Sequence, residues 1–173
     1  IPAVTMSSTD CNRLRLAIGS DLQAILSKSP ADTVGVDFVD GDFENGIIAH
    51  EYGHGISIRL TGGPANSSCL NLGEQMGEGW SDFFAMIMTA KPGDRGNMAR
   101  GMGNFALRQN TEGRGIRRYS YSTDMSINPH TYNNIYLSQV SPHPIGEIWA
   151  TTIWDLYWAM TDKYGWDANI KNR

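Results

Sequence analysis

The segment His50-Glu51-Tyr52-Gly53-His54 places two imidazoles and one carboxylate within five residues. If the segment is helical, His50 and His54 lie one turn apart on the same face, so both rings can bind one metal ion. Glu51 then lies beside the ion, where it can take a proton from water. The pattern is H-E-x-x-H, which is typical of zinc peptidases. The alternative is two structural histidines on a helix, which would leave the clustered polar groups without a role.

A third ligand has to come from another part of the chain, because a catalytic zinc binds three protein ligands and keeps one open position. The best candidate is Glu78, at the start of a second predicted helix. Asp82 lies one turn further on the same face, where a carboxylate can hold the imidazole of a ligand through its other N–H. Taken alone, either carboxylate would be better explained by the dipole at a helix start. Beside an H-E-x-x-H helix, we interpret Glu78 as a ligand and Asp82 as its support.

His143 is the third informative histidine and lies at the start of a third predicted helix. From there its ring can donate a hydrogen bond to an oxyanion that forms on a scissile carbonyl. Without the other motifs, His143 would be interpreted as a cap or a surface residue. His130 has no comparable context and is interpreted as structural or exposed.

Three helices are predicted to position these residues. The first runs from about Phe43 to Leu60, with Asp42 as its cap and the glycines and proline of 61–64 as its end. The second runs from about Gly73 to Ala90, and the third begins near His143 or Pro144. The second and third helices each carry one apolar stripe with helical spacing. The stripes are Met76, Trp80, Phe83, Phe84, Ile87 and Met88, and Ile145, Ile148, Trp149, Thr152, Ile153, Leu156 and Met160.

Residues 94–141 are rich in Gly, Asn, Ser, Tyr and Arg, and they predict a long irregular segment with one short helix near Met98 to Leu107. Long irregular segments in compact domains are often functional. Near the first helix, Asp40, Asp42 and Glu44 make calcium a second candidate ion. A capped, solvated helix entry is the more common explanation of such a cluster.

The composition is that of a globular protein, with 40% hydrophobic and 18% charged residues among 173. The formal net charge of −4 argues against nucleic acid or an anionic membrane as a partner, because either would favour a basic face. No apolar run is long enough to predict a transmembrane helix.

Several separated motifs, in order, resemble the fungalysin family of secreted metallopeptidases, which is related to thermolysin-like enzymes. The similarity covers roughly residues 40–165. It rests on the segments His50 to Gly55, Arg59 to Pro64, Met76 to Phe83, Ile116 to Arg118, Tyr121 to Met125, and His143 to Trp149. The residues before Gly77 and the end of the second helix resemble bacterial members more than fungal ones.

The resemblance implies a mainly α fold with irregular loops, built as a thermolysin-like core around the H-E-x-x-H helix. It implies a secreted zinc endopeptidase of broad specificity that acts on proteins or peptides and is made with an inhibitory propeptide. His50, His54 and Glu78 would bind one zinc ion, Glu51 would be the general base, and His143 would stabilise the tetrahedral intermediate. Arg117 or Arg118 would hold a substrate carbonyl. Tyr119, Tyr121 and Tyr132 are all candidates for a tyrosine that assists the oxyanion.

The N-terminal end departs from the catalytic pattern. Residues 1–30 resemble the last strand and helix of a protease-associated domain, which would leave 31–173 as a partial catalytic domain. We therefore expect the 173 residues to be a fragment of a longer secreted protein. Three alternatives remain: an aminopeptidase, a zinc-binding module without turnover, and a fragment whose cleft is catalytically incomplete. No carboxylate cluster that would hold a free amine is visible for the first alternative.

Overall fold

The computed structural model describes residues 39–71, 76–137, 141–169 and 171. The chain divides into two units, Ile1–Asp37 and Phe38–Arg173, and every described residue belongs to the second. The strand and helix predicted near the N-terminal end lie outside the described residues. The predicted domain boundary therefore stays a prediction.

The described part of the chain is mainly helical. Its α-helices are α1 (Asn45–Gly62), α2 (Gly77–Met88) and α3 (Pro142–Tyr164), and short 3-10 helices span Gly41–Phe43 and Tyr132–Leu137. Irregular segments connect them, which confirms the predicted fold class. Among the described residues, no helix is both long and apolar enough to cross a membrane.

The entry into α1 differs from the prediction. Asp42 does not cap the helix; the N-cap residue is Glu44, which makes no capping hydrogen bond through its side chain. Asp42 lies instead in the preceding 3-10 helix, where its backbone N–H donates to Asp40 Oδ1 at 3.0 Å. The predicted end is confirmed, because Gly63 follows α1 with a φ of 70° and its N–H donates to the carbonyl of Arg59.

The prediction of a short helix near Met98 to Leu107 is wrong. This segment consists of turns and forms two isolated bridges, Arg100 with Tyr121 and Met102 with Gly115. Glycine is a poor helix former, and Gly103 has a φ of 78° that a right-handed helix does not permit. The segment therefore pairs with residues 113–121 and fixes the backbone there.

The core lies between α3, α2 and the bridged segment. Trp154 and Trp158 of α3 are buried, together with Met86 of α2 and Tyr121 of the irregular segment. Leu156 and Met160, which belong to the predicted stripe of α3, are exposed. In the second half of α3, the buried face is therefore the one that carries Trp154 and Trp158. Their indole rings pack against each other and against Tyr157.

The most buried face of α2 lies beside its predicted apolar stripe, of which only Phe83 and Ile87 pack against the core. The buried residues are Gly77, Gly79, Ser81, Asp82, Ala85 and Met86. Trp80 and Phe84 of the stripe are half-buried, and Met88 is exposed. This orientation turns Glu78 and Asp82 towards the other two helices.

Two glycine contacts explain how closely the three helices approach. A Cβ added at Gly53 of α1 would lie 2.9 Å from the Cα of Ser81 in α2. A Cβ added at Gly79 of α2 would overlap the carbonyl oxygen of Gly146 in α3. The glycines therefore let the backbones meet where α1, α2 and α3 carry the motif residues.

Candidate metal centre

The three side chains proposed from the sequence as ligands meet in the structure. His50, His54 and Glu78 each offer one ligand atom, and these atoms lie within 4.8 Å of one another. His50 and His54 come from successive turns of α1, and their rings are nearly perpendicular at an interplanar angle of 88°. Glu78 comes from the first turn of α2. The packing of α1 on α2 therefore assembles the cluster.

The two separations from Glu78 to the imidazoles fit a zinc ion. The Nε2 atom of His50 lies 3.2 Å from Glu78 Oε2, and that of His54 lies 3.5 Å from Glu78 Oε1. Ligand atoms at 2.0–2.1 Å from a tetrahedral zinc are roughly 3.4 Å apart. Two imidazoles and one carboxylate also form a donor set that is typical of catalytic zinc.

Asp82 supports His50 from the opposite side of the ring. The Nδ1 atom of His50 donates to Asp82 Oδ1 at 2.6 Å. Burial alone would raise the pKa of Asp82, but hydrogen bonds from Arg117 and His50 hold it below its usual value. The carboxylate is therefore ionised and accepts the proton of Nδ1, which leaves Nε2 facing Glu78 as the nitrogen that can bind a metal once it has lost its own proton.

Arg117 and Tyr121 complete the contacts of Asp82. Arg117 forms a bidentate ion pair with Asp82, in which Nε lies 2.6 Å from Oδ2 and Nη2 lies 2.8 Å from Oδ1. The hydroxyl of Tyr121, which is fully buried, also donates to Oδ2. Burial and the charge of Asp82 raise the pKa of this hydroxyl well above its usual value. Because the hydroxyl is bound to Asp82, Tyr121 is poorly placed among the three tyrosines considered for the oxyanion.

The carboxylates change the protonation of His50 in the metal-free protein. Burial alone would lower the pKa of His50, but hydrogen bonds to Asp82 and Glu78 raise it to about 9. The hydrogen bond with His50 in turn lowers the pKa of Glu78. A metal ion therefore displaces a proton when it binds at neutral pH.

A cavity of about 250 Å³ opens over the cluster. Glu51 and His143 both line it, and so do the ligands and Arg117. The imidazole of His143 is 60% exposed, with Nε2 at 3.4 Å from Glu78 Oε2. The structure thus brings Glu51 and His143 to the same opening as the cluster.

The two arginines considered for substrate contact differ in position. The side chain of Arg117 is buried, yet it reaches the cavity, and its Nη2 lies 3.7 Å from Glu78 Oε2. Arg118 is exposed, and its guanidinium lies over the ring of Tyr119 at 5.8 Å. Of these two arginines, only Arg117 lines the cavity.

Sequence reasoning missed a buried group next to this site. Glu147, in the second turn of α3, accepts hydrogen bonds from the backbone of Arg118 and Tyr119. His130, interpreted as structural or exposed, is buried and contacts the same carboxylate at 3.1 Å. The sequence signal for Glu147 was only its place in the third helix, because its partners are backbone atoms from a distant segment.

Two of the three carboxylates considered for calcium have other partners. Asp40 Oδ1 accepts the N–H of Asp42, and Glu44 Oε2 accepts the N–H of Ala106 at 2.9 Å. These contacts fit the capped helix entry considered as the alternative. Calcium gains no support from them and stays a prediction.

Comparison with known proteins shows which family the chain resembles. A family profile described as fungalysin metallopeptidase (M36) matches residues 34–173. The extracellular metalloproteinase MEP of Neosartorya fischeri is 52% identical over 128 residues, which are 73% of this chain and 20% of that protein. The extracellular metalloproteinase 2 of Arthroderma gypseum is 48% identical over 134 residues, which are 76% of this chain and 20% of that protein.

The matched region spans about a fifth of the length of these curated relatives. Both relatives are fungal, and the expectation of a bacterial member stays a prediction. The profile match covers most of the chain, from the residues before α1 to the last residue. The chain belongs to the fungalysin family of metallopeptidases.

Proposed function

We propose that this chain carries the catalytic centre of a zinc-dependent endopeptidase. The observation that carries the proposal is that His50, His54 and Glu78 form a metal-binding group at a cavity also lined by Glu51 and His143. These three ligands leave a coordination position open for chemistry. Family membership supports the same activity.

A zinc ion held by this group would lower the pKa of a water molecule and polarise a peptide carbonyl. Glu51 is the proposed general base: it takes a proton from the attacking water and passes it to the leaving amine. His143 donates a hydrogen bond to the oxyanion of the tetrahedral intermediate. Its exposed ring at the mouth of the cavity suits contact with a substrate.

Asp82 and Arg117 have separate proposed roles. Asp82 orients His50 and selects the tautomer that binds metal. Arg117 is held by Asp82 and lines the cavity, so its guanidinium is placed to bind a substrate carbonyl. Arg118 lies outside the cavity lining, which favours Arg117 for this role.

The wall of the cavity suggests the side chains that the site accepts. Ile47, Met102 and Ile116 form an apolar side next to the ligands. Burial of an apolar side chain against such a wall is favourable. We therefore expect cleavage of protein or peptide substrates beside an apolar residue.

The setting of the whole protein is also a proposal. The relatives named above are extracellular metalloproteinases, which supports a secreted protein. An inhibitory propeptide is expected from the family resemblance. We also propose that residues 1–30 belong to a protease-associated domain and that 31–173 form a partial catalytic domain.

The test compares the full-length wild-type protein with its Glu51→Gln variant. We measure zinc content and the cleavage of quenched peptides that are blocked at both ends, since an aminopeptidase cannot cleave them. Glu112→Gln, which changes an exposed carboxylate, is the matched control. We expect one zinc in all three proteins, and cleavage in the wild type and the control only.

Other outcomes would support the alternatives. Zinc without cleavage in any of the three proteins would indicate a binding module or an incomplete cleft. A wild type that takes up no zinc, even when the ion is supplied, would contradict the proposed function.

A further inference from the structure

Glu147 is a buried carboxylate whose two oxygens both face the segment that carries Arg117. The residue is 5% exposed. Its Oε1 accepts the backbone N–H of Tyr119 at 2.9 Å, and its Oε2 accepts the backbone N–H of Arg118 at 3.1 Å. Two successive amides bound to one carboxylate fix both the position and the direction of the backbone.

The contact with His130 completes the environment of this carboxylate. The Nε2 atom of His130 lies 3.1 Å from Glu147 Oε1. Burial of an ionised carboxylate is costly unless hydrogen bonds replace its lost water. Two amides and one imidazole supply them, so this cluster favours one placement of Glu147.

The backbone amides that Glu147 binds lie between Arg117 and Tyr121, the two residues whose side chains donate hydrogen bonds to Asp82. Arg117 precedes the bound amides and Tyr121 follows them, and both donate to Asp82. Asp82 in turn accepts the hydrogen bond from His50. A continuous series of contacts therefore connects Glu147 in α3 to a proposed metal ligand in α1.

We propose that Glu147 is a positioning residue for the metal centre, acting by holding Arg117 and Tyr121 in register with Asp82. The inference rests on the proposed function, since it assumes that His50 binds zinc. Glu147 follows His143 by one helical turn. A single turn of α3 therefore carries one residue that contacts the substrate and one that orders the support of the metal site.

The Glu147→Gln variant tests this inference with little change in size. A carboxamide keeps one acceptor oxygen and turns an NH₂ group towards a backbone N–H, so one of the two amide contacts is lost. We expect faster hydrogen exchange at Arg118 and Tyr119, and a zinc affinity that falls roughly tenfold. At a fixed zinc concentration, kcat/KM should also fall, because a smaller fraction of the variant carries the ion.

Thr151→Val is the matched control. Thr151 is buried on the same helix, where its hydroxyl donates to the carbonyl of Glu147 at 2.9 Å and accepts from Asn128 at 3.1 Å. The variant removes a buried polar contact without touching the amides of Arg118 or Tyr119. It should lower stability and change zinc affinity much less than Glu147→Gln does, because both amide contacts of the Glu147 carboxylate remain.

A double-mutant cycle with Tyr121→Phe separates positioning from general stability. If Glu147 acts through Tyr121 and Asp82, the losses of zinc affinity in the two variants are not additive. If Glu147→Gln does not fold, His130→Gln weakens the same carboxylate from its other side and takes its place in the cycle. Zinc affinity equal to the wild type in the Glu147 or His130 variant would overturn the inference.

These measurements also separate the inference from the proposed function. Zinc affinity and hydrogen exchange do not require turnover. A wild type that binds zinc but cleaves no peptide would contradict the peptidase and leave the positioning role measurable. A wild type without zinc affinity would overturn both.

Discussion

Asp82 Oδ1 lies 2.6 Å from Nδ1 of His50, on the side of the ring away from Glu78. The contact joins the second turn of α2 to the H-E-x-x-H segment of α1. Because Asp82 is held by Arg117 and Tyr121 as well, the imidazole is oriented before any metal binds. Preorganisation of this kind raises the affinity of a metal site.

Replacing Asp82 by Asn should lower zinc affinity by roughly 10–100-fold, because the ring of His50 loses its charged support. The variant also removes the carboxylate that pairs with two nitrogens of the buried Arg117 guanidinium and leaves Glu78, at 3.7 Å, as the neighbouring carboxylate, which should destabilise the fold by about 3 kcal/mol. Competition with a chelator measures the first effect and urea unfolding the second. Asp162→Asn changes an exposed carboxylate on α3 and should alter neither property.

Zinc affinity should rise with pH. The pKa of His50 in the metal-free protein is raised from 6.5 to about 9. The proton on this ring therefore stabilises the metal-free fold in full below pH 6.5, and this stabilisation is lost as the pH rises through 9. Zinc displaces this proton, and its affinity should increase roughly tenfold per pH unit up to about pH 9. Titrations in buffers of different ionisation enthalpy would count the released protons. Equal affinity at pH 7 and pH 9 would contradict the prediction.

A methyl group at Gly79 should disrupt the metal centre. The new Cβ would overlap the carbonyl of Gly146, so α2 and α3 would have to separate and Glu78 would move with α2. We expect a loss of about 1–3 kcal/mol in the free energy of unfolding, together with weaker zinc binding. Thermal unfolding with and without zinc measures both effects.

Gly55→Ala is the control for the substitution at Gly79. Gly55 lies in α1, and a Cβ there would have no heavy atom within 4 Å. Alanine in a helix interior is more favourable than glycine by roughly 0.5–1 kcal/mol, so this variant should be more stable than the wild type. If both variants lose stability equally, close packing of α2 on α3 is not the cause.

Cleavage preference should depend on Ile116, which lines the apolar wall of the cavity. Ile116→Ala removes part of this wall and makes room, so the ratio of kcat/KM for phenylalanine over leucine substrates should increase by roughly tenfold. A series of blocked peptides that differ at one position measures this ratio. Leu107→Ala truncates an exposed leucine of the same irregular segment and should leave the ratio unchanged.

The candidate metal centre was largely predictable because its key spacings are local. His50 and His54 are four residues apart on one helix, and Glu78 and Asp82 are four apart on the next. Helical periodicity therefore places each pair on one face. The structure adds that the two faces oppose each other, which depends on the packing of Gly53 against Ser81.

The remaining contacts were not predictable from local patterns. Tyr121 reaches Asp82, and Glu147 binds the backbone of Arg118 and Tyr119, across long sequence separations. The helix predicted near Met98 to Leu107 failed because bridges with residues 115 and 121 take its place. Local propensity does not include such tertiary pairing.

The side of α2 that carries Trp80, Phe84 and Met88 has a practical consequence for work with this chain. Trp80 and Phe84 are only half-buried and Met88 is exposed, and their spacing of four residues places them on one face of the helix. Contiguous apolar surface of this kind promotes association between molecules. A sample of these 173 residues should therefore bind hydrophobic dyes and should lose solubility as its concentration rises, even when the metal centre is intact.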